Sequence, residues 1–452
     1  MPLIRSVSGL RGTTPDGILS AELVARHVRA FAEMQPHGPI AIGFDGRLGG
    51  RVLADAAIEE LCCCGRDVLD LGCVPTPTVQ IIVERNHLAG GVIVTASHNS
   101  AEWNGLKFLD SDGVFLLPER ARHLWQRSDY PQVARSHQRG HATLHSDPIE
   151  EHLAALGAVE LIARLRAQGA FVDMRVVIDA VNAGGSSALP RLIEWLGGEP
   201  LPLYCDGSGI FPHLPEPLPE HLYDLCRATA EHNATLGIAV DPDADRLVLV
   251  HRSGMPINEE KTIVLAVESV LREMPNATVV VNASTTSQVE RVATRYGGMV
   301  LRSAVGEINV IELMRSSAAV IGGEGSGGVI FPACHYGRDS LVGTALVLAL
   351  RTALSNDEWD ERTLYQPLEM RKRKVPWNGN FSVLRAALVA TMGDGARLWE
   401  GDGIRFEWND HWLHVRPSNT EPILRMIAES PALEQVEELL DRVEQIIATV
   451  EA

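Results

Sequence analysis

Short apolar runs alternate with longer amphipathic stretches along most of this chain, and this alternation limits the folds open to it. The apolar runs have the length of buried strands; they include Pro39–Phe44, Gly91–Ala96, Arg175–Ala180, Thr235–Val240, Leu247–Val250, Thr278–Asn282 and Ala318–Ile321. The amphipathic stretches have the length of helices; they include Ala21–Met34, Val52–Cys64, Ile149–Gln168, Asn258–Glu273 and Ser287–Tyr296. Strands that alternate with helices indicate an α/β architecture.

Three of the apolar runs end in a polar or glycine-rich turn: Ser97–Asn99, Asp241–Asp245 and Gly322–Gly328. Each segment therefore has the same plan, a strand that ends in a turn at its carboxyl edge. We therefore predict three similar α/β domains, with bounds 1–145, 146–250 and 251–365.

The last segment, 366–452, follows a different pattern. The basic run Arg371–Lys374 lies near its start, and two short strands, Ile404–Trp408 and Trp412–Val415, precede an acidic amphipathic helix, Leu433–Val450. This order predicts a smaller α+β domain.

Charge and hydropathy exclude several kinds of partner. Lys and Arg number 40 and Asp and Glu 58, a formal charge of −18, which disfavours binding to nucleic acid or to an anionic membrane. No apolar run approaches the roughly 18 residues that a membrane span needs. Met1–Arg5 lacks the pattern of a secretory signal, and the seven cysteines are odd in number and form no C-x-x-C pair. We expect a cytoplasmic protein with reduced thiols.

The first chemical motif is the turn that contains Ser97, within Thr95–Ser100. A serine hydroxyl attacks phosphorus or a carbonyl only when a neighbouring base or metal activates it. The G-x-S-x-G pattern of a nucleophile elbow is absent around Ser97. On this motif alone, a structural turn with His98 as a packed imidazole remains the alternative.

The second motif places three carboxylates at alternate positions, Asp241, Asp243 and Asp245. Such a group repels itself unless a cation binds it, and an all-oxygen set suits Mg²⁺. An EF-hand is excluded because Arg246 and Arg252 occupy its glycine and twelfth positions. Arg246 is a candidate to contact a phosphoryl oxygen. A solvated acidic loop is the alternative.

The third motif, Gly323–Gly328, matches G-x-G-x-x-G. We reject a dinucleotide site because the following residues are strand-like and Glu324 would repel a pyrophosphate. The carboxylate of Glu324 and the hydroxyl of Ser326 suit the hydroxyls of a sugar; a tight glycine turn is the alternative.

The fourth motif leaves the second C-terminal strand and reads Arg416–Pro422. A guanidinium, hydroxyls, an amide and successive backbone N–H groups can hold an anion, although no Walker A lysine is present. The candidate ligands are Arg416, Ser418, Asn419 and Thr420, with Arg425 adding charge; an ordinary capped turn is the alternative.

Two further cationic side chains are candidate site residues. Arg11 is flanked by glycines near the start, and Lys107 follows Ser97 by ten residues. Either one alone is more typical of a solvated surface charge.

Together, the TASHN, DPDAD, GEGSG and RPSNTEP loops resemble in order and spacing those of the α-D-phosphohexomutase superfamily, which includes phosphoglucomutase, phosphomannomutase and phosphoglucosamine mutase. The resemblance covers nearly the whole chain and implies three α/β domains with mixed sheets and a smaller fourth domain around a central cleft. It implies that Ser97 carries a phosphoryl group, with Arg11, His98 and Lys107 nearby. It also implies that Ser97 and the three aspartates bind one Mg²⁺.

The resemblance further implies an activity. A phosphohexomutase moves a phosphoryl group between the 1- and 6-positions of a hexose phosphate through a hexose 1,6-bisphosphate intermediate. Glu324 and Ser326 would contact the sugar, and the fourth loop would bind its other phosphate. We expect no nucleic-acid or membrane partner, and either a monomer or a homodimer.

The chain departs from the family pattern at three positions. Ser100 replaces a common proline, Gly328 replaces a histidine that has an acid–base role in some members, and Asn419 stands where many phosphoglucosamine mutases have glycine. Lys107 or His335 is therefore a candidate for proton transfer. The preferred sugar is left open among glucosamine, glucose and mannose phosphates. The alternative functions are a metal-dependent sugar phosphatase and a non-catalytic sugar-phosphate-binding protein.

Overall fold

The structure, a computed structural model, describes residues 3–130, 136, 138–418 and 422–451. It contains four domains, each built on one sheet. Within the described ranges, no helix is both long and apolar enough to cross a membrane. Each of the seven cysteines is a free thiol in the structure.

Domain 1 has a seven-stranded sheet in the order β1-β2-β6-β5-β3-β4-β7. Its elements are β1 (Ile4–Ser6), β2 (Gly9–Thr13), α1 (Ala21–Met34), β3 (Ile40–Phe44), α2 (Gly50–Cys63), β4 (Val68–Cys73), α3 (Thr76–Arg85), β5 (Gly90–Val94), β6 (Trp103–Leu109), α4 (Pro118–Asp129) and β7 (Ala142–Leu144). The pairs β3–β4, β3–β5 and β4–β7 are parallel, whereas β5–β6, β2–β6 and β1–β2 are antiparallel.

Domain 2 has a four-stranded sheet in the order β11-β10-β8-β9. Its elements are α5 (Pro148–Gly157), α6 (Glu160–Ala167), β8 (Arg175–Asp179), α7 (Gly185–Leu196), β9 (Glu199–Tyr204), α8 (Tyr223–Glu231), β10 (Leu236–Val240) and β11 (Leu247–His251).

Domain 3 has a five-stranded sheet in the order β13-β12-β14-β15-β16. Its elements are α9 (Glu260–Glu273), β12 (Thr278–Asn282), α10 (Gln288–Arg295), β13 (Met299–Ser303), α11 (Glu307–Ser317), β14 (Ile321–Glu324), β15 (Gly328–Phe331), β16 (His335–Arg338), α12 (Ser340–Thr352) and α13 (Asn356–Leu364).

The three α/β domains share one arrangement at the place where a motif occurs. In each, a parallel strand is followed along the chain by an antiparallel neighbour: β5 by β6, β10 by β11, and β14 by β15. The connections between these strands carry Ser97, the three aspartates and the glycine-rich turn. The prediction of three similar mixed α/β domains is therefore confirmed.

Domain 4 is a smaller antiparallel sheet with two helices. Its elements are β17 (Glu369–Pro376), α14 (Phe381–Met392), β18 (Arg397–Trp399), β19 (Ile404–Glu407), β20 (Trp412–Pro417), β21 (Ile423–Ser430) and α15 (Leu433–Glu451), and the strand order is β17-β21-β20-β19-β18. The sequence predicted two of these five strands. The basic run 371–374 lies inside β17, where charged side chains hid the strand pattern.

Two local predictions were wrong. The helix predicted over 149–168 is broken between α5 and α6, where Val159 adopts an extended conformation and buries its side chain. The strand predicted over 318–321 begins at Ile321 instead, because Ala318 ends α11 in a left-handed conformation with φ of 52°.

Buried apolar side chains form one large cluster shared by domains 1 to 3, smaller clusters within those domains, and a separate cluster in domain 4. One continuous cluster of buried side chains contains Val79 of domain 1, Ile178 of domain 2 and Ile263 of domain 3. A separate cluster of buried side chains, which includes Phe406 and Leu440, lies inside domain 4. Domains 1 to 3 are therefore joined by apolar packing, whereas domain 4 has its own core.

Candidate active site

Ser97 lies just beyond β5 in a strained conformation. Its φ of 50° is in the left-handed region, and its side chain is almost fully buried. Its backbone N–H donates to Thr95 Oγ1 (2.8 Å), and its carbonyl accepts from the guanidinium of Arg47. Its own hydroxyl donates to Asp241 Oδ2 over 2.8 Å. The turn therefore aims the Ser97 oxygen at the aspartate loop.

A buried ion pair supports this turn, and no motif in the sequence indicated it. Arg47 Nε lies 2.8 Å from Asp45 Oδ2, and both side chains are completely buried. Thr95 Oγ1 donates to the same Asp45 oxygen over 2.6 Å. Since the Arg47 guanidinium also holds the Ser97 carbonyl, these residues fix the position of the serine.

Asp241, Asp243 and Asp245 converge at the carboxyl end of β10. All three are fully buried, and one carboxylate oxygen of each lies within 4.8 Å of the others. Ala244 has a φ of 51°, and this left-handed residue curls the loop so that alternate side chains point inward. Thr76 of domain 1 donates its hydroxyl to Asp243 Oδ2 over 2.7 Å.

Asp243 and Asp245 each use Oδ2 for the nearest protein cations, and Arg246 Nε lies 4.0 Å from the other oxygen of Asp245, Oδ1. Lys107 Nζ lies 2.6 Å from Asp243 Oδ2 and 3.0 Å from Asp245 Oδ2, and Arg338 Nη2 lies 2.6 Å from Asp245 Oδ2. The Oδ1 atoms of Asp243 and Asp245 are buried and have no hydrogen-bond partner among the described residues. Two open buried carboxylate oxygens beside a third carboxylate fit a divalent cation.

Burial and neighbouring charges shift the pKa values of the aspartates and of Lys107. Burial raises the pKa of Asp241 well above its usual range, and Asp245 and Asp243 add to the effect. Burial also acts to raise the pKa of Asp245, but Arg338 and Lys107 outweigh it and lower the pKa. Burial acts to lower the pKa of Lys107, but Asp243 and Asp245 outweigh burial, so the pKa of Lys107 is raised. The triad is therefore an anionic centre partly neutralised by two cations.

The other predicted residues near Ser97 lie around the same centre. Arg11 Nη1 donates to Asn99 Oδ1 over 2.7 Å. The backbone N–H of Arg246 donates to Asp241 Oδ1 over 3.2 Å. The cation of Arg246, together with burial, lowers the pKa of His98 to about 2, so this imidazole is neutral at physiological pH. Lys107, which the sequence alone would place on the surface, is buried.

The glycine-rich motif is the turn of the β14–β15 hairpin. Glu324 ends β14 and is buried, and Ser326 is half-buried in the turn. Gly327 has a φ of 87°, and a Cβ there would lie 2.3 Å from the Leu247 carbonyl, so only glycine allows this contact with domain 2. The strand that follows confirms that the motif is not a dinucleotide-binding turn.

The carboxylate of Glu324 is already oriented by three donors. Its Oε1 accepts from Asn282 Nδ2 (2.8 Å) and from the Gly306 N–H (3.1 Å). Its Oε2 accepts from Arg338 Nη1 (2.7 Å). A carboxylate offers about four acceptor positions, so Glu324 retains capacity for one hydroxyl donor.

The fourth motif begins where two arginines face each other across neighbouring strands. Arg416 on β20 lies directly opposite Arg425 on β21, which in turn lies opposite Lys374 on β17. Burial lowers the pKa of Arg416, Asp402 opposes this shift, and Arg425 adds to it. Like charges at opposing positions repel each other, and Asp402 Oδ2, which lies 3.8 Å from Arg416 Nε, offsets part of this repulsion. The sequence did not indicate Lys374 as part of this row.

The loop after β20 is described in part. The Ser418 N–H donates to the Ile423 carbonyl over 2.9 Å, which closes the loop at its base. Asn419 and Thr420 lie outside the described residues.

His335, the second candidate for proton transfer, lies in a different setting from Lys107. Its Nε2 is 3.0 Å from Asp339 Oδ2, and His152 Nε2 is 2.8 Å from the same oxygen. Thr78 of domain 1 contacts His152 Nδ1 over 2.9 Å, so this group joins three domains. Lys107, in contrast, contacts the aspartate triad directly.

The whole chain matches known families domain by domain. Models of phosphoglucomutase/phosphomannomutase α/β/α domains I, II and III match residues 3–131, 150–254 and 258–366. The model of the C-terminal domain of the same family matches residues 370–446.

Individual relatives agree with this match. A probable phosphoglucosamine mutase of Methanopyrus kandleri is 32% identical over 97% of this chain and 96% of its own length. A phosphoglucomutase/phosphomannomutase of Thermococcus kodakarensis is also 32% identical, over 89% of this chain and 88% of its own. A solved structure of a phosphoglucomutase/phosphomannomutase family protein from Burkholderia thailandensis superposes with a TM-score of 0.84, at 25% identity over 99% of this chain and 98% of that one. The chain therefore belongs to the phosphoglucomutase/phosphomannomutase family, and it is a phosphohexomutase, an isomerase that transfers a phosphoryl group within its substrate.

Proposed function

We propose that this protein interconverts the 1- and 6-phosphates of a hexose, with Ser97 as the phosphoryl carrier. The observation that carries the proposal is the 2.8 Å hydrogen bond from the Ser97 hydroxyl to Asp241. This bond joins a serine hydroxyl of domain 1 to a carboxylate triad of domain 2, and both are buried, which supports Ser97 as the nucleophile. Phosphoryl transfer needs this combination of positioning and charge stabilisation.

The proposed cycle has two transfers. Phospho-Ser97 first gives its phosphoryl group to the free hydroxyl of a hexose phosphate: the bond from phosphorus to the serine oxygen breaks, and a bond to the sugar oxygen forms. The sugar hydroxyl gives up its proton, and the Ser97 oxygen gains one to become a hydroxyl. The resulting hexose 1,6-bisphosphate then turns around. In the second transfer the bond from its other phosphorus to the sugar oxygen breaks, a bond to the Ser97 oxygen forms, and the proton of the Ser97 hydroxyl passes to the sugar oxygen.

Of the two candidates for proton transfer, Lys107 contacts the aspartate triad to which Ser97 is hydrogen-bonded. Its ammonium lies between Asp243 and Asp245, and its side chain is buried. A buried cation at this position stabilises negative charge on the transferring group and can exchange a proton with a leaving oxygen. We assign this role to Lys107 ahead of His335, whose Nε2 faces Asp339 at the junction of three domains.

The residues of the triad fit Mg²⁺. The two open Oδ1 atoms and Asp241 would hold the ion, with an oxygen of phospho-Ser97 as a further ligand. When bound, Mg²⁺ would neutralise charge on the phosphoryl oxygens. Arg11 and Arg246 lie around the same centre and would bind the remaining phosphoryl oxygens.

The substrate is held at two further places in this proposal. Glu324 and Ser326 would bind sugar hydroxyls, and Arg416, Ser418, Asn419, Thr420 and Arg425 would bind the phosphate that is not being transferred. A hydroxyl-binding loop and a separate anion-binding loop accept the bisphosphate in either orientation. The relatives are named phosphoglucosamine mutase and phosphoglucomutase/phosphomannomutase, which supports a hexose phosphate as the substrate class.

The test is a panel assay. Purified protein with Mg²⁺ is given the 1-phosphates of glucose, mannose, glucosamine and N-acetylglucosamine, each with a trace of the corresponding 1,6-bisphosphate. We expect the 6-phosphate of at least one sugar to form without equivalent release of inorganic phosphate. Release of phosphate without isomer would show the alternative, a phosphatase. Binding without turnover at any Mg²⁺ concentration would show a non-catalytic binding protein.

A further inference from the structure

Arg338, at the end of β16, pairs with three carboxylates of the site, and no motif pointed to it. Its Nη2 lies 2.6 Å from Asp245 Oδ2, and its Nη1 lies 2.7 Å from Glu324 Oε2. Its Nε lies 3.1 Å from Glu307 Oε2, and its backbone N–H donates to Glu307 Oε1 over 3.1 Å. One guanidinium thus joins the loop of the metal triad to the sugar-binding hairpin.

The geometry of these contacts fixes both partners. A guanidinium is planar and presents its N–H groups in a rigid fork, so a rotation that improves one contact spoils the other. Asp245 keeps Oδ2 on Arg338 and Lys107 while its Oδ1 stays open. Burial acts to lower the pKa of Arg338, but Asp245, Glu324 and Glu307 together raise it well above its usual range, so the residue stays charged.

The sequence leaves space for this side chain at Gly328. A Cβ on Gly328 would lie 2.4 Å from Arg338 Cδ and 3.0 Å from Arg338 Cγ. These atoms belong to the middle of the side chain, and three carboxylates hold its far end. Arg338 therefore cannot move aside without losing at least one ion pair. Any residue other than glycine at position 328 is incompatible with this position of Arg338.

We propose that Arg338 is a positioning residue that sets the orientation of Asp245 for the metal and of Glu324 for the sugar at the same time, and that Gly328 is required because Arg338 fills its space. The kinetic part of this inference rests on the proposed function. The metal-binding part does not, because it concerns the orientation of Asp245 in the absence of sugar.

The first experiment measures Mg²⁺ affinity by calorimetry without sugar in the wild type and in Arg338→Ala. Positioning predicts that affinity falls by about three- to tenfold, because Asp245 loses its orientation. A cation that acted by charge alone would compete with Mg²⁺, so its removal would strengthen binding. Equal or stronger Mg²⁺ binding by the folded variant would overturn the proposal.

The second experiment is a double-mutant cycle with Gly328→Ala, measured with the best substrate of the panel. Gly328→Ala should lower kcat/KM by about tenfold, mainly through KM, since Glu324 loses its partner. In the Arg338→Ala background, Gly328→Ala should lower kcat/KM by less than about twofold, because the Arg338 side chain no longer fills the space beside residue 328. If Gly328→Ala lowered kcat/KM by the same factor in the wild type and in Arg338→Ala, the proposal would be overturned.

Two controls separate positioning from folding. Arg362→Met removes another partly buried arginine of domain 3, paired with the buried Glu268, and should leave KM and Mg²⁺ affinity unchanged. If Arg338→Ala does not fold, Gly328→Ala alone decides: lower Mg²⁺ affinity with higher KM supports the proposal, and unchanged values contradict it. A wild type that isomerises none of the sugars would instead refute the proposed function, while the calorimetry would still test the role of Arg338.

Discussion

The two halves of the candidate site are held in place by different means. The half with Ser97 and the aspartate triad belongs to domains that share one apolar core, and its carboxylates are fully buried. The half with Arg416 and Arg425 belongs to domain 4, which has a separate core. Domain 4 contacts domain 3 through polar groups: Glu429 accepts from Thr286 and Ser287, Lys372 pairs with Glu260, and His414 contacts Ser284.

This difference indicates that the two halves of the site have different roles. Apolar packing among three domains keeps the reacting oxygen and the triad in a fixed relation, which phosphoryl transfer requires. Polar contacts can be exchanged for contacts with water at lower cost than an apolar core can be opened. We therefore expect changes in the first half to abolish catalysis, and changes in the second half to weaken substrate binding.

The largest effect is expected at Ser97. Ser97→Ala should lower turnover by a factor on the order of 10⁴ or more, because the phosphoryl carrier is lost. The thermal midpoint should change little, since the new side chain occupies the same buried turn. Isomerisation at the normal rate by the folded variant would refute the assignment.

Asp243→Asn should have the next largest effect. It removes the charge of one proposed metal ligand and its ion pair with Lys107, so Mg²⁺ affinity should fall roughly 10²-fold. Thr76→Val removes only the hydroxyl that orients Asp243, so it should lower Mg²⁺ affinity by about tenfold or less. Calorimetric Mg²⁺ titrations measure both; equal affinities in all three proteins would show that the triad does not bind the ion.

The arginine pair of domain 4 should affect binding rather than chemistry. Arg416→Met and Arg425→Met should each raise KM about tenfold, equivalent to about 1.4 kcal/mol, with a smaller change in kcat. Arg397→Met, on the exposed β18 of the same sheet, is the matched control and should leave KM unchanged. If kcat fell as far as in Ser97→Ala while KM stayed constant, the division between the two halves would be wrong.

The smallest expected effect is on stability in acid. Burial lowers the pKa of His414, in the contact between domains 3 and 4, to about 3. The unfolded chain then binds a proton below about pH 6.5 that the folded chain does not, so stability falls as the pH falls. Between pH 7 and pH 5 this group alone should cost about 2 kcal/mol.

Denaturant unfolding at the two pH values measures this loss, and His414→Gln is the comparison. The variant should lose about 2 kcal/mol less than the wild type between pH 7 and pH 5. Equal losses would show that His414 is not a buried neutral imidazole in the folded protein.

Local patterns in the sequence were enough to predict the α/β domains and the loops with Ser97, the aspartates and Glu324. Each of these lies where an apolar strand ends, so periodicity and residue type coincide. Arg338, Thr76 and Arg47 could not be predicted in the same way, because their partners lie on other elements and only the fold brings them together. The sequence did not indicate Lys374 as a neighbour of Arg425, because the charged residues of β17 do not show the pattern of a strand. The exact domain bounds and the roles of the individual site residues stay predictions.

The most direct test of the account is the mass of the purified protein after incubation with a hexose 1,6-bisphosphate. We expect an added mass of one phosphoryl group that maps to Ser97, that is replaced by the phosphoryl group of an isotopically labelled hexose 1- or 6-phosphate during turnover, and that is absent from Ser97→Ala. An active enzyme that never carries phosphate on Ser97, or that carries it on another residue, would contradict it.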